Sequence, residues 1–105
     1  MNTPQKRLAA LEASAEYEKK SAAYSNAYEH GAGRQRPGTV GFALWLLYDK
    51  HLQEHNDAPT SQVARNLARE FGLNETSAVN ALGKWAAYNG LRPPRTGAYS
   101  VGPTA

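Results

Sequence analysis

The sequence predicts a mainly α protein: a three-helix domain with a small C-terminal β-hairpin and an extra N-terminal helix. Three observations predict it. Residues 40–56 (VGFALWLLYDKHLQEHN) begin with a near-continuous apolar run. Residues 61–71 and 75–88, on either side of Gly72, repeat their apolar positions with the helical period. Residues 91–101 set proline and glycine between two short stretches suited to strands. A chain of 105 residues, 41% hydrophobic and 20% charged, is long enough for one core and short for two. The expected organisation is a helix within residues 1–30, a linker at 31–38, the domain at 39–101 and a tail at 102–105.

Residues 4–29 read as one helix. Alanine is abundant, and Leu8, Leu11 and Ala15 share a face. A second line runs through Tyr17, Tyr24 and Tyr28 at spacings of seven and four. Tyrosine buries its ring and keeps its hydroxyl wet, which suits an interface. Leu8, Leu11, Tyr17, Tyr24 and Tyr28 are therefore candidates for a dimer contact, or for packing on their own domain. Residues 30–38 (HGAGRQRPG) hold three glycines and a proline, so they break the helix. The segment reads as a hinge or an arm. Arg34 and Arg36 alternate in it, as in extended arms that enter a minor groove; a solvated linker is the plainer reading.

Thr39 is a candidate cap for the next helix. Residues 42–48 are too apolar for a surface helix and should form the buried spine, with Phe42 and Trp45 as large anchors. Pro59 ends that helix, and Thr60 caps the following one. Val63, Ala64, Leu67, Ala68 and Phe71 then share one face, and Gln62, Arg65 and Arg69 form the opposite stripe. Gly72 stops this helix and Asn74 caps the next. In residues 75–88, Ala78, Val79, Leu82, Trp85 and Ala86 lie on one side. Ser77, Asn80, Ala81, Lys84 and Tyr88 lie on the other, which carries no acid. Gly83 weakens the helix by about 1 kcal/mol relative to alanine, which points to a close approach there.

The charge is unevenly placed. Residues 59–105 carry Arg65, Arg69, Lys84, Arg92 and Arg95 against Glu70 and Glu75, so five cations meet two acids and the difference equals the whole net charge of +3. A basic surplus beside a polar helix face suits a phosphate backbone. The absence of cysteine excludes disulfides and thiolate metal sites and fits a reducing, cytoplasmic setting. Residues 1–30 contain no apolar run, so no signal peptide is expected. The longest apolar run, residues 40–48, falls far short of the ~20 residues of a membrane span.

One metal pattern occurs. His51, Glu54 and His55 match H-x-x-E-H, in which two histidines on one helix face bind zinc and the glutamate acts as base. Such a centre needs a third ligand and a cleft, and a chain this short leaves little room for either. The expectation is no metal, no cofactor and no catalysis.

The order helix, helix, turn, helix, basic hairpin resembles the winged helix–turn–helix domains of bacterial, phage and plasmid regulators. The resemblance covers about residues 39–101 and rests on Val63, Ala64, Leu67, Ala68, Phe71, Gly72, Leu73, Val79, Leu82 and residues 89–91 (NGL). It departs in one respect: the connection after Gly72 reads as about one residue longer than the usual tight turn. In that family the third helix enters the major groove and the wing lies on the backbone or minor groove. By position, the resemblance implies that Thr76, Ser77, Asn80 and Lys84 face base edges or nearby phosphates. Gln62, Arg65 and Arg69 would meet phosphates, and Arg92 and Arg95 would belong to the wing. The implied function is sequence-specific binding of double-stranded DNA, as a small dimeric repressor. Plasmid partition and phage DNA packaging use the same fold. The competing class is a protein-binding inhibitor or adaptor of a mobile element.

Overall fold

The structure, a computed structural model, describes residues 3–29 and 32–91. It is mainly helical. The described residues form five helices, α1 Pro4–Glu12, α2 Ala15–Ala22, α3 Val40–His55, α4 Ser61–Phe71 and α5 Glu75–Tyr88, with a short strand pair, β1 Tyr28–Glu29 and β2 Ala32–Gly33, between α2 and α3. The strands are antiparallel, with Tyr28 opposite Gly33 and Glu29 opposite Ala32. No helix among the described residues is long and apolar enough to cross a membrane.

The single N-terminal helix expected over residues 4–29 is corrected to two helices and a strand. Ser14 makes the break. Its backbone is extended, its hydroxyl accepts from the Tyr17 amide at 3.2 Å, and it donates to the Leu11 carbonyl at 2.7 Å. A serine that bonds the backbone on both sides ends one helix and caps the next. Glu16 and Glu18 then favour the N-terminal end of α2. The linker expected at residues 31–38 is likewise tied down where it is described. Ala32 is buried, the Arg34 amide donates to the Ala27 carbonyl at 3.0 Å, and the Gly38 amide donates to the Tyr17 hydroxyl at 3.0 Å.

The last three helices follow their caps. Thr39, Thr60 and Asn74 each accept from an amide three residues on, at 3.2, 3.1 and 2.9 Å. Asn56 and Gly72 close α3 and α4 in the left-handed conformation, at φ 55° and 71°. Only Gly72, Leu73 and Asn74 separate α4 from α5, so the connection is a tight three-residue turn and not the longer one expected.

α3 is apolar all round at its start because it is covered on two sides. Leu44, Trp45 and Tyr48 pack with Ala64 and Ala68 of α4 and with Ala78, Leu82 and Trp85 of α5. Phe42, Ala43 and Leu46 pack with Tyr17, Leu8 and Leu11 of α1 and α2. Ala64, Ala68 and Ala78 are fully buried, and their small side chains let α4 and α5 lie close to α3. Tyr48 donates to the Ala78 carbonyl at 2.7 Å, and its ring meets Trp85 edge-on with centroids 5.8 Å apart. The Trp85 indole donates to Asp49 at 2.9 Å, and Lys20 of α2 donates to the other oxygen of that carboxylate, also at 2.9 Å.

α1 docks against α4. Arg7 pairs with Glu70 at 3.0 Å. A Cβ at Gly72 would lie 3.0 Å from the Pro4 side chain, so α1 sits directly on the turn between α4 and α5. Gly72→Ala therefore combines a positive φ with a crowded contact, and we expect it to lower stability by roughly 1–2 kcal/mol in a denaturant titration. An unchanged midpoint would mean that α1 does not hold this position.

Candidate nucleic-acid interface

The candidate site is built on α5. Asn74 caps it and Glu75 occupies its first turn. Ala78, Leu82, Trp85 and Ala86 anchor its inner side in the core, with Val79 half-buried. Thr76, Ser77, Asn80 and Lys84 all stand exposed on the outer side. Among the described residues no carboxylate lies within ion-pair distance of Lys84. Two residues expected on that outer side are not part of it. Ala81 is buried, and Tyr88 is half-buried with its ring 5.3 Å from that of Trp45. Ala81 joins the core cluster that contains Leu44, at the edge of a groove between α3 and α5, and the Trp45 ring meets Tyr88, contacts that the helical period of α5 alone does not register.

The outer face forms one wall of a groove of about 430 Å³. Ser77, Asn80 and Lys84 line one side, and Thr39, Val40 and Gln35 line the other. Gln35 lies across Gly41, so its amide borders the groove. Val40, 47% exposed, is a large apolar side chain open to the surface at this edge. Sequence reasoning missed this second wall. It arises from the packing of α3 on α5, across residues far apart in the chain, and leaves no local signal.

The stripe on α4 is partly engaged within the protein. Gln62 donates to the side-chain amide oxygen Oδ1 of Asn66 at 3.1 Å, Arg69 donates to the same oxygen, and Arg69 lies 3.8 Å from Glu75. Arg69 thus bridges α4 to the start of α5, and its charge is offset. Arg65 has no carboxylate within ion-pair distance among the described residues. Asn66 was not singled out in the sequence, although its spacing of four from Gln62 and three from Arg69 is the helical-neighbour spacing.

The remaining sequence candidates are scattered. Arg34 sits over the Tyr24 ring at 5.9 Å, and Arg36 is exposed one turn before α3. Leu8, Leu11 and Tyr17 face their own domain, with the Tyr17 ring edge-on to Phe42 at 4.8 Å. Tyr24 is half-buried beneath Arg34. The side chain of Tyr28, and Arg92 and Arg95 with the hairpin expected around them, lie outside the described residues. The rings of His51 and His55 stack 4.3 Å apart, and His51 Nδ1 lies 3.2 Å from the Asp57 carbonyl. No group of three metal-ligating side chains occurs among the described residues.

Comparison with family models, with curated proteins and with solved structures finds no match.

Gly83 lies on the outer half of α5, and no described atom comes within 4 Å of a Cβ built there. The close approach that the sequence points to is therefore not made within the described part of the chain. Alanine at this position should stabilise the free protein by up to about 1 kcal/mol, read as a higher denaturation midpoint. A lower midpoint would show that the glycine serves the fold itself.

Proposed function

We propose that the chain binds double-stranded DNA in a sequence-specific manner, with α5 in the major groove, and acts as a small transcriptional repressor. The observation that carries this reading is the outer face of α5. Thr76, Ser77, Asn80 and Lys84 are exposed together on a rigidly anchored helix, free of acids, and beside a glycine that leaves space for an approaching surface. Asparagine matches the donor and acceptor pair of adenine, and lysine reaches guanine acceptors. Arg65 stands on the preceding helix for a phosphate. The three-residue turn at Gly72 fits the helix–turn–helix reading. In this reading residues 91–101 supply the wing, with Arg92 and Arg95. Tyr17 is buried within the protomer, and Leu8 and Leu11 are half-buried against the same cluster, so a dimer contact there would use only the part of these leucines that stays open.

The second reading is a protein-binding adaptor. Exposed Val40 at the groove edge favours it, because an apolar side chain adds little to phosphate binding.

Salt separates the two. Binding to random-sequence duplex DNA should weaken steeply with salt, by a log–log slope of about −0.9 per phosphate contact. No DNA retention at low salt would overturn the proposal. Arg65→Ala should weaken all sequences alike and reduce the slope by about 1. Asn80→Ala should instead cost about 1–3 kcal/mol on the preferred sequence only, measured by competition between duplexes. Equal losses on every duplex would place Asn80 outside the base-reading set.

A further inference from the structure

The C-terminal end of α3 carries two histidines that the proposed function does not use. His51 and His55 lie four residues apart, so they share one helix face, and their rings stand 4.3 Å apart with a tilt of 36°. With Glu54 they line a groove of about 290 Å³ between α3 and α4, whose far wall includes Leu67, Glu70 and Phe71. None of its lining residues belongs to the groove beside α5. His51 Nδ1 lies 3.2 Å from the Asp57 carbonyl oxygen. A carbonyl oxygen can only accept, so this contact places the proton of the neutral ring on Nδ1 and leaves the lone pair on Nε2. A histidine that donates one ring N–H to a backbone carbonyl is held in the tautomer that a metal ligand needs. His55 is exposed, and among the described residues no carboxylate lies within ion-pair distance of either ring. Of the charged residues that line the groove, Glu70 is paired with Arg7, and Lys50 lies 3.9 Å from Glu16. Glu54 has no described cation within that range, so its negative charge stands uncompensated in the groove that the two rings line.

We propose that His51 and His55 chelate one late divalent transition-metal ion, copper(II) ahead of nickel(II) or zinc(II), through Nε2 of each ring. Two nitrogens bound to one ion at about 2.0–2.1 Å stand about 3 Å apart. Rings already 4.3 Å apart on one helix face reach that separation by side-chain rotation, and water completes the coordination. Imidazole suits these ions, and copper(II) binds a given nitrogen site most tightly. A catalytic zinc centre holds three protein ligands, so this pair is a staple across the last turn of α3 and not a hydrolytic centre. The site stands whether or not α5 binds DNA.

The test is a calorimetric titration of the full, untagged chain near neutral pH with copper(II), nickel(II), zinc(II) and magnesium(II) chlorides. The expected result is one copper(II) ion per chain at a dissociation constant on the order of 10 μM, weaker nickel(II) and zinc(II), and no saturation with magnesium(II). His55→Ala removes an exposed ring and should weaken copper(II) by about tenfold or more, because the second ligand is no longer tethered beside the first. His55→Ala combined with Gln53→His keeps the number of histidines but sets them two residues apart, on different faces, and should not restore the affinity. His30→Ala, at the third histidine of the chain, should leave it unchanged. Saturating nickel(II) should raise the denaturation midpoint of the unaltered chain and leave that of His55→Ala in place. Copper(II) binding that survives His55→Ala, that Gln53→His restores, or that is lost in His30→Ala overturns the chelate, and so does magnesium(II) binding of equal strength.

Discussion

The Asp49 carboxylate is the interaction on which the arrangement most depends. One oxygen takes the indole proton of Trp85, which is fully buried, and the other takes the ammonium of Lys20. Three helices that share little sequence neighbourhood meet at one side chain. A buried N–H without an acceptor costs about 1–3 kcal/mol, so Asp49 turned inward favours Trp85 in the core by an amount of that order. The ion pair with Lys20 adds less, because both partners are partly exposed. The hydrogen bond thus fixes the rotation of α5 about its own axis. That rotation decides which side of α5 faces outward.

α3 converts this local constraint into an architecture. Its two apolar faces hold α4 and α5 on one side and α1 and α2 on the other. A helix used on both sides leaves no broad apolar surface uncovered. Among the described residues the open faces are the polar outer side of α5, the stripe on α4 and the first turn of α3, where Val40 is the large apolar side chain left exposed. The ion pairs follow the same division. Arg7, Lys20 and Lys50 are matched with Glu70, Asp49 and Glu16 across helix junctions. Arg65 and Lys84, on the open side, meet no carboxylate within ion-pair distance among the described residues, so both charges stand uncompensated beside the polar helix faces.

The parts of this fold that depend on near neighbours were legible in the sequence. Thr39, Thr60 and Asn74 mark the starts of α3, α4 and α5, and Gly72 marks a stop, because a cap acts over three residues. The break at Ser14 was also written in the chain, but the surrounding alanines outweighed it as a helix signal. Contacts between distant segments were not legible. Ala81 and Tyr88 belong to the outer side of α5 by period, yet the packing of α3 and Trp45 covers them. The line through Leu8, Leu11 and Tyr17 is equally apolar whether it meets a partner or its own core. Periodicity reports that a face will be covered, and only tertiary packing reports by what. Gln35 and Val40 joined the candidate site for the same reason, through a groove wall that no local pattern encodes.

The contact between Pro4 and Gly72 reaches beyond stability. α1 rests on the outside of the only three residues that separate α4 from α5. A pivot of the two helices against each other would therefore disturb the seat of α1 on the turn. Whatever surface α5 meets must accept the pair as one rigid body. Such a body loses little conformational freedom on association, so more of its contact energy is left as affinity. The same rigidity narrows the range of partners, since a helix that cannot tilt must find a surface already shaped to receive it.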